Sequence, residues 1–521
     1  MQLDDNLIHQ DANGFPSVVK YCTKDGETTV YACNVAKRKK SSKKESVCVV
    51  NCVKRMIGLS YKEFMELNDH SVFGNCKVFE KNGIPYFKIS PNDTEGKNGV
   101  EVASEIFKVI KKVADSRLDC SGKIDCYVTV PANYKENQRD AIIAAAAMAD
   151  LTVQGIFTEP TAAAMSWCHE ESNRKTLKHD TKMLIFDFGG GTLDLSVIRY
   201  CKEGDKFDVM TTGGNPRLGG EDVNVLVSNY FTRTYGDKIP KKYREKGKKH
   251  PEFLRECEEA KIQLSHKELV EFTIIDENAE DDEGEIKFDI TLAALNQEIN
   301  VHMKDKIKRC ILSLLLDQVI SNCHLSPSVI SHIFMVGGSS QLQGVRDIIR
   351  DIFPASTKIH VDDINPVSCV AMGALHQAEG FRNGSGSCKF TECVNFSYGL
   401  LSGNKAAILL HKNTAIPSRG PEIRFATCID FPEYIESKVY QFDKSYIDAI
   451  DENGNATARI SEGKIVRGYK FKNPFPKPKG KQQFIIQFSI AYGGTLTVVC
   501  KDADSSEVLN CTDYTNLVHR E

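Results

Sequence analysis

Two carboxylates and a hydroxyl set around three consecutive glycines form the part of this sequence best suited to chemistry: Leu184-Ile-Phe-Asp187-Phe-Gly189-Gly190-Gly191-Thr192-Leu-Asp194. An apolar run delivers Asp187, the glycines turn the chain, and a second strand-like run leaves with Thr192 and Asp194. Glycines let backbone N–H groups approach phosphate oxygens with no Cβ in the way. Asp187 suits the organisation of Mg2+ through its waters, because that ion prefers carboxylate oxygen and keeps much of its hydration. Thr192 can donate its hydroxyl to a phosphate. The plainer reading is a Gly-rich hairpin, and no Gly-Lys-[Ser/Thr] follows that would make this a Walker loop. A second turn of the same kind, Val336-Gly337-Gly338-Ser339-Ser340, leads into helical spacing. A Gly turn at a helix N-terminus suits an anionic or nucleoside ligand, although by itself it reads equally as an ordinary strand-to-helix connection.

The elements that must hold these turns are legible around them. Cys126–Pro131 is a β-branched strand followed by an Ala-rich helix over 137–149, and Met183–Phe186 and Leu193–Arg199 are strands. Glu252–Ser265 has the pattern of a charged amphipathic helix. Ser331–Val336 reads as a strand and Val345–Phe353 as a helix. Alternation of this kind from about Val47 to Gln377 marks an α/β architecture. Acidic residues 276–285 read as a hairpin tip between Phe272–Ile275 and Ile286–Ile290. A Gly/Ser stretch at 380–387 marks a composition shift, after which helical patterning vanishes. Strands at Phe425–Cys428, Ile435–Phe442, Gln483–Ile490 and Thr495–Cys500, with Tyr492–Thr495 as a turn, make 388–521 an all-β unit read as a sandwich.

Composition narrows the class. Lys+Arg 67 against Asp+Glu 70 leaves a net charge of −3, which gives no electrostatic reason to expect nucleic acid or an anionic membrane as partner. The longest apolar run, 142–149, is far short of the ~20 residues that span a bilayer. The first residues carry neither a basic nor an apolar stretch, so no signal peptide is visible. Lys37–Lys44 is basic and reads as a solvated loop rather than a nuclear localisation signal. The 18 cysteines are scattered and contain no Cys-x-x-Cys, so reduced, mostly buried thiols in the cytoplasm or nucleus are expected.

Two strand–Gly–Gly turns far apart in the chain suggest two half-sites on related lobes, the organisation of two-lobed phosphate-clamping ATPases. At this point the sequence resembles the heat shock protein 70 family of DnaK-type chaperones. The resemblance rests on Ile185–Asp194, Glu159-Pro-Thr-Ala-Ala-Ala164, Leu218-Gly-Gly-Glu-Asp222, Val336–Ser340 and Asn365-Pro366 with Gly373-Ala374, in family order. It runs from about Ile8 to Asp504. It implies an α/β, two-lobed actin-like ATPase domain over 1–379, a linker over 380–394 and an all-β sandwich that binds peptide over 395–521. ATP/ADP and Mg2+ are the implied cofactors. Unfolded or nascent polypeptides are the implied clients, with J-domain co-chaperones and nucleotide exchange factors as partners.

Carried over residue by residue, the resemblance makes Lys54, Glu159, Asp187 and Thr192 the catalytic set, with Asp187 at the metal. Gly189, Gly190, Gly191, Asp194, Gly219, Gly220 and Glu221 fall in the phosphate loops. Glu258, Lys261 and Ser265 match the helix that meets ribose and adenine, and Gly337, Gly338 and Ser339 the adenosine loop. Leu400, Phe425 and Ile435 fall where apolar side chains line the peptide cleft. The sequence also departs from the family. The first phosphate loop, Asp-x-Gly-Thr-Thr, is not found, and Ile8–Pro16 already resembles the segment after it. The loss of that strand pair is expected to leave unpaired edges in the first lobe's sheet. Ile262 and Gln341 stand at usual arginines, and Val367 at a usual Asp. The linker Lys389–Val394 is expected not to dock, and no helical lid follows the β unit. The alternative reading is therefore a non-hydrolysing co-chaperone or holdase with a degenerate nucleotide site.

Overall fold

A computed structural model describes residues 14–39, 45–67, 73, 76–118, 122–244, 250–275, 285–316, 325–361, 363–383, 389–402, 405–442, 449–450, 456–490 and 496–513. The acidic tip at 276–284, most of the Gly/Ser stretch, the turn at 492–495, basic residues 40–44 and the start of the chain lie outside the described residues.

Two lobes face each other. In the second lobe a six-stranded sheet runs from Lys358–His360 through Ile330–Val336, Thr181–Phe188, Leu193–Cys201 and Lys206–Asn215 to Lys389–Thr391. Its centre is Thr181–Phe188, paired in parallel with Ile330–Val336 and antiparallel with Leu193–Cys201. All of that strand except Lys182 is buried, as expected of a strand covered on both faces. One cover is the long helix Leu292–Leu316. It buries Leu295, Ile299, Met303, Ile307, Ile311 and Leu314 at the three-to-four spacing of a single helix face. On the other face, Glu159–Cys168 has Pro160 in its first turn, where the missing N–H costs nothing. Its small residues admit helix Cys369–Asn383 so closely that a Cβ on Gly373 would sit 1.6 Å from the Ala162 carbonyl oxygen.

The first lobe is built differently. Val19–Lys24 pairs with Glu27–Ala32 and Ser46–Val50 in a three-stranded antiparallel sheet. Ile124–Val130 and Leu151–Thr158 form a separate parallel pair. No strand among the described residues joins the two sheets. A core including Tyr21, Phe64, Phe87 and Tyr134 packs between them and helix Gly99–Leu118. Among the described residues the edges of these sheets carry no further strand, and the core beneath them is covered.

The β unit is a sandwich of a seven-stranded and a four-stranded sheet. Gln483–Ile490 alternates partly exposed and buried residues, the period-two pattern of a strand with one face toward the core. Its inward side meets Leu400, Val439 and Phe471 in a shared core.

The structure corrects two expectations. The linker does dock: Lys389–Thr391 extends the second lobe's sheet by parallel pairing with Lys206–Asp208. Edge pairing needs only backbone, and Phe390 adds a ring stacked on Phe207 at 4.9 Å. Glu392 accepts from the Thr158 hydroxyl at 3.3 Å. The cysteines are not all reduced either, because Cys48 and Cys76 form a disulfide. Both partners lie at edges of the first lobe that chain spacing alone did not pair. Of the thirteen free cysteines described, seven are buried.

Candidate functional site

The cross-strand register of the central hairpin sets Asp187 directly opposite Asp194, both buried. Glu159 joins them from the first turn of its helix. Lys54, on the short turn Val53–Arg55 after strand Ser46–Val50, reaches across to Glu159 with a 2.6 Å ion pair. The Tyr134 hydroxyl donates to the Lys54 carbonyl (2.8 Å) and fixes that turn. Three carboxylates thus surround one ammonium.

The electrostatics follow. Burial, then Glu159 and Asp194, push the Asp187 carboxyl well above its usual range. Burial and Glu159 push Asp194 up to about 7, against hydrogen bonds from Thr192 and the Ala132 N–H. For Lys54, burial works downward, but Glu159, Asp194 and Asp187 together outweigh it and hold the ammonium above its ordinary value. A buried like-charge pair that raises carboxyl affinity for protons equally favours a cation. Asp194 Oδ2 is buried without a hydrogen-bond partner among the described residues. Among those residues no three His, Cys, Asp or Glu side chains converge to chelate a metal alone. A hard ion that keeps its waters, as Mg2+ does, fits this donor set.

The glycine loops close around the carboxylates. Gly220 and Glu221 donate backbone N–H groups to the carbonyls of Gly189 (2.9 Å) and Gly190 (2.8 Å). A Cβ on Gly219 would come within 2.6 Å of the Gly190 oxygen, so the two loops meet only because both are Gly. Around Gly190 and Gly191 themselves the space is open. Gly337 has φ +80° and packs where a Cβ would be 2.5 Å from the Phe188 oxygen, a conformation and clearance that glycine supplies. Gly338 and buried Ser339 follow. Gly220 carries Ser339 and Lys261 against it, with Lys261 Nζ donating to its carbonyl at 3.1 Å. Burial lowers the affinity of Lys261 for its proton, opposed by Glu258 and Glu221.

The three loops, Lys54, Glu159, Asp187, Thr192, Asp194, Glu221 and Lys261 therefore converge in one cleft. Glu258 sits at its rim in a 2.9 Å pair with Lys37, which gives that basic residue a partner across the lobes. Ser265 is exposed beyond the end of its helix, and Ile262 and Val367 are exposed as well. In the β unit, Leu400 is closed into the sandwich core, with half-buried Phe425 and Ile435 packed on the same cluster.

Sequence reasoning missed Arg55. Its buried guanidinium donates to the Gly191 carbonyl at 2.7 Å and pairs with Asp222 at 2.5 Å. The only available signal was its position next to Lys54. Asn395 was missed too: it donates to the Ala132 carbonyl (2.7 Å), while the Ala132 N–H bonds Asp194 at 2.9 Å. One residue of the first lobe thus links the cleft to the β unit.

The class these features define is a two-lobed domain with glycine loops and buried carboxylates in its cleft, followed by a β-sandwich. The chain belongs to the Hsp70 family: a profile described as Hsp70 protein matches residues 8–514. It is 25% identical over 471 residues to the mitochondrial iron-sulfur cluster biogenesis chaperone of Saccharomyces cerevisiae, covering 89% of this chain and 66% of that one. Chaperone protein DnaK of Stenotrophomonas maltophilia is 27% identical over 508 residues, and that of Mycoplasmoides gallisepticum 28% over 493. Each DnaK alignment covers 94% of this chain and 72% of the relative. The chain thus spans about two thirds to three quarters of the length of these relatives.

Proposed function

We propose that this chain is an Hsp70-type molecular chaperone that binds ATP with Mg2+ in the cleft and extended apolar polypeptide on the β unit. The observation that carries the reading is the crowding of Glu159, Asp187 and Asp194 around Lys54, beneath three glycine loops contributed from distant parts of the chain. Bound nucleotide with Mg2+ would supply the phosphoanhydride and a charge that neutralises phosphate. Asp187 and Asp194 would hold that ion through its waters. Lys54, fixed by Glu159 and Tyr134, offers a positioned ammonium to negative charge that develops during transfer. The backbone N–H groups of Gly190 and Gly191 and the Thr192 hydroxyl face phosphate, while Lys261, Glu258 and the loop at 337–339 face the nucleoside. Half-buried Phe425 and Ile435 provide the apolar wall for peptide, backed by Leu400 in the sandwich core, each contacting side chain worth about 1.5–3 kcal/mol when fully buried. J-domain proteins and nucleotide exchange factors are the partners this reading brings with it, and cytoplasm or nucleus its setting.

A second reading, a holdase indifferent to nucleotide, is favoured by the split sheet of the first lobe, which carries no glycine phosphate loop among the described residues. Calorimetric titration of ATP·Mg2+ into the folded chain separates the two. Micromolar binding that weakens at least tenfold in Asp187→Asn supports the nucleotide reading. Absence of binding, with client aggregation still suppressed, establishes the holdase.

A further inference from the structure

A second cavity lies on the opposite side of the Arg55–Asp222 pair from the glycine loops. It is walled by both lobes and the β unit, and its volume is ≈ 1280 Å³. Its charge is lopsided. Among the described residues, Arg55, Lys135, Arg217, Lys306, Arg309, Lys412 and Lys464 line it against one carboxylate, Asp222, already bound to Arg55. The chain as a whole is nearly balanced, 67 basic to 70 acidic residues, so seven to one is a property of this wall and not of the composition.

The cations come from all three bodies. Lys135 precedes helix Glu136–Ala147 in the first lobe, and Arg217 lies in the turn before the second lobe's helix Gly220–Tyr235. Lys306 and Arg309 lie one turn apart on the exposed face of helix Leu292–Leu316, and Lys412 and Lys464 come from the β unit. Glu63, outside the lining, answers Lys135 and Lys464. Asn133 also lines the cavity, and its buried amide Nδ2 has no hydrogen-bond partner among the described residues.

We propose that this cavity binds an extended acidic segment of a partner polypeptide, with its carboxylates on the cationic wall and apolar side chains between them. Size and lining favour this over a small polyanion. Small-molecule sites run to about 300–1,000 Å³. Apolar Leu67, Phe73, Leu226, Leu314 and Phe396 share the lining with the cations, which suits side chains rather than a compact cluster of phosphates. Because the ligand touches both lobes and the β unit, it favours their docked arrangement. The proposal does not depend on nucleotide binding.

The test is fluorescence anisotropy of the full chain with a short labelled peptide of repeated Glu-Glu-Leu, alongside its Gln-Gln-Leu counterpart. Saturable binding of the acidic peptide alone is expected, falling as salt rises. Lys306→Glu with Arg309→Glu should weaken it by about tenfold or more while leaving the melting curve unchanged. Arg217→Glu on the facing wall should weaken peptide binding as much, with the melting curve lowered as well because Arg217 also ties the lobes through the Glu66 carbonyl. Equal affinity in both variants overturns the proposal, as does no saturable binding by the folded wild type. Tighter binding of oligouridylate or inositol hexakisphosphate than of the peptide overturns it too, by assigning the wall to another class of anion.

Discussion

The two lobes that meet at the cleft achieve rigidity by different means. The second lobe is built on one continuous six-stranded sheet between buried helices, beside a two-stranded hairpin, and its two site carboxylates Asp187 and Asp194 sit on adjacent central strands. The first lobe's described residues form three small unjoined sheets; its site residue Lys54 sits on a short turn, and Glu159 begins the helix that leaves this lobe to cover the second lobe's sheet. The first lobe is instead tied to its neighbours by side chains. Arg55 binds Asp222 and the Gly191 carbonyl, Lys37 binds Glu258, and Arg217 donates to the Glu66 carbonyl. From the β unit, Arg467 pairs with Asp140 at 3.0 Å and Tyr398 donates to Glu136. Backbone ladders hold one half of the site, and polar side-chain contacts hold the other.

The sharpest way to break that comparison is to cut the central tie. Arg55→Met keeps most of the volume but leaves Asp222 partly buried and without its guanidinium. Removing one partner of a buried pair costs about 3–5 kcal/mol, and Asp222, which keeps some exposure, points to the lower end. The expected outcome is a urea midpoint lowered accordingly, with the first lobe's amides losing hydrogen-exchange protection before those of the central strand Thr181–Phe188. Uniform loss of protection in both lobes would mean that the lobes unfold as one unit, and the contrast drawn between them would fail.

Acid offers a milder probe of the same seam. Burial works to raise the Glu63 carboxyl, but Lys135, the Ser60 N–H and Lys464 together bring it from 4.5 down to about 2. A folded value below the ordinary one means that the ionised form stabilises the fold. That contribution is complete above pH ~4.5 and is lost as pH falls toward 2. At about 1.4 kcal/mol per unit, discounted for partial solvent screening, it amounts to roughly 2 kcal/mol. Glu63→Gln should therefore lower stability at neutral pH and flatten the acid limb between pH 4.5 and 2, read from melting temperature against pH. A limb as steep as the wild type's would remove Glu63 from the seam. Since Lys464 belongs to the β unit, the same titration should also release that unit from the first lobe.

What the sequence made legible follows the same division. The central strands, the turns at 189–191 and 337–339 and the helix over 250–263 are local patterns, with apolar runs, glycine punctuation and helical spacing written in consecutive residues. The second lobe's share of the site could therefore be read residue by residue. The first lobe's share depends on contacts between distant residues that no local pattern announces. Arg55 meets Asp222 across 167 positions, and Cys48 meets Cys76 where spacing suggested only free thiols. The docking of Lys389–Thr391 was misjudged for a related reason. The expectation weighed side-chain character, whereas a parallel edge pairing draws first on backbone groups, and Phe390 and Glu392 supplied enough apolar and acidic contact to finish it.

The smallest expected effect tests whether the cleft and the β unit are joined through Ala132. Its N–H holds Asp194 and its carbonyl is held by Asn395, which also accepts from the Thr212 hydroxyl at 2.9 Å. Asn395 therefore touches the first lobe by its amide nitrogen and the second by its amide oxygen. Asn395→Ala deletes both contacts without disturbing the sandwich core, in which Asn395 takes no part. A net hydrogen bond contributes about 0.5–1.5 kcal/mol, so a loss of about 1 kcal/mol is expected, small against the Arg55 effect. The location of the loss decides more than its size. If docking of the β unit is what steadies Ala132, exchange should quicken at the Ala132 amide and at strand Lys389–Thr391 together, while the sandwich interior stays protected. Faster exchange at Lys389–Thr391 alone would show that the first lobe holds Ala132 unaided. The lobe with the weaker sheet would then be stiffer at the site than its topology implies.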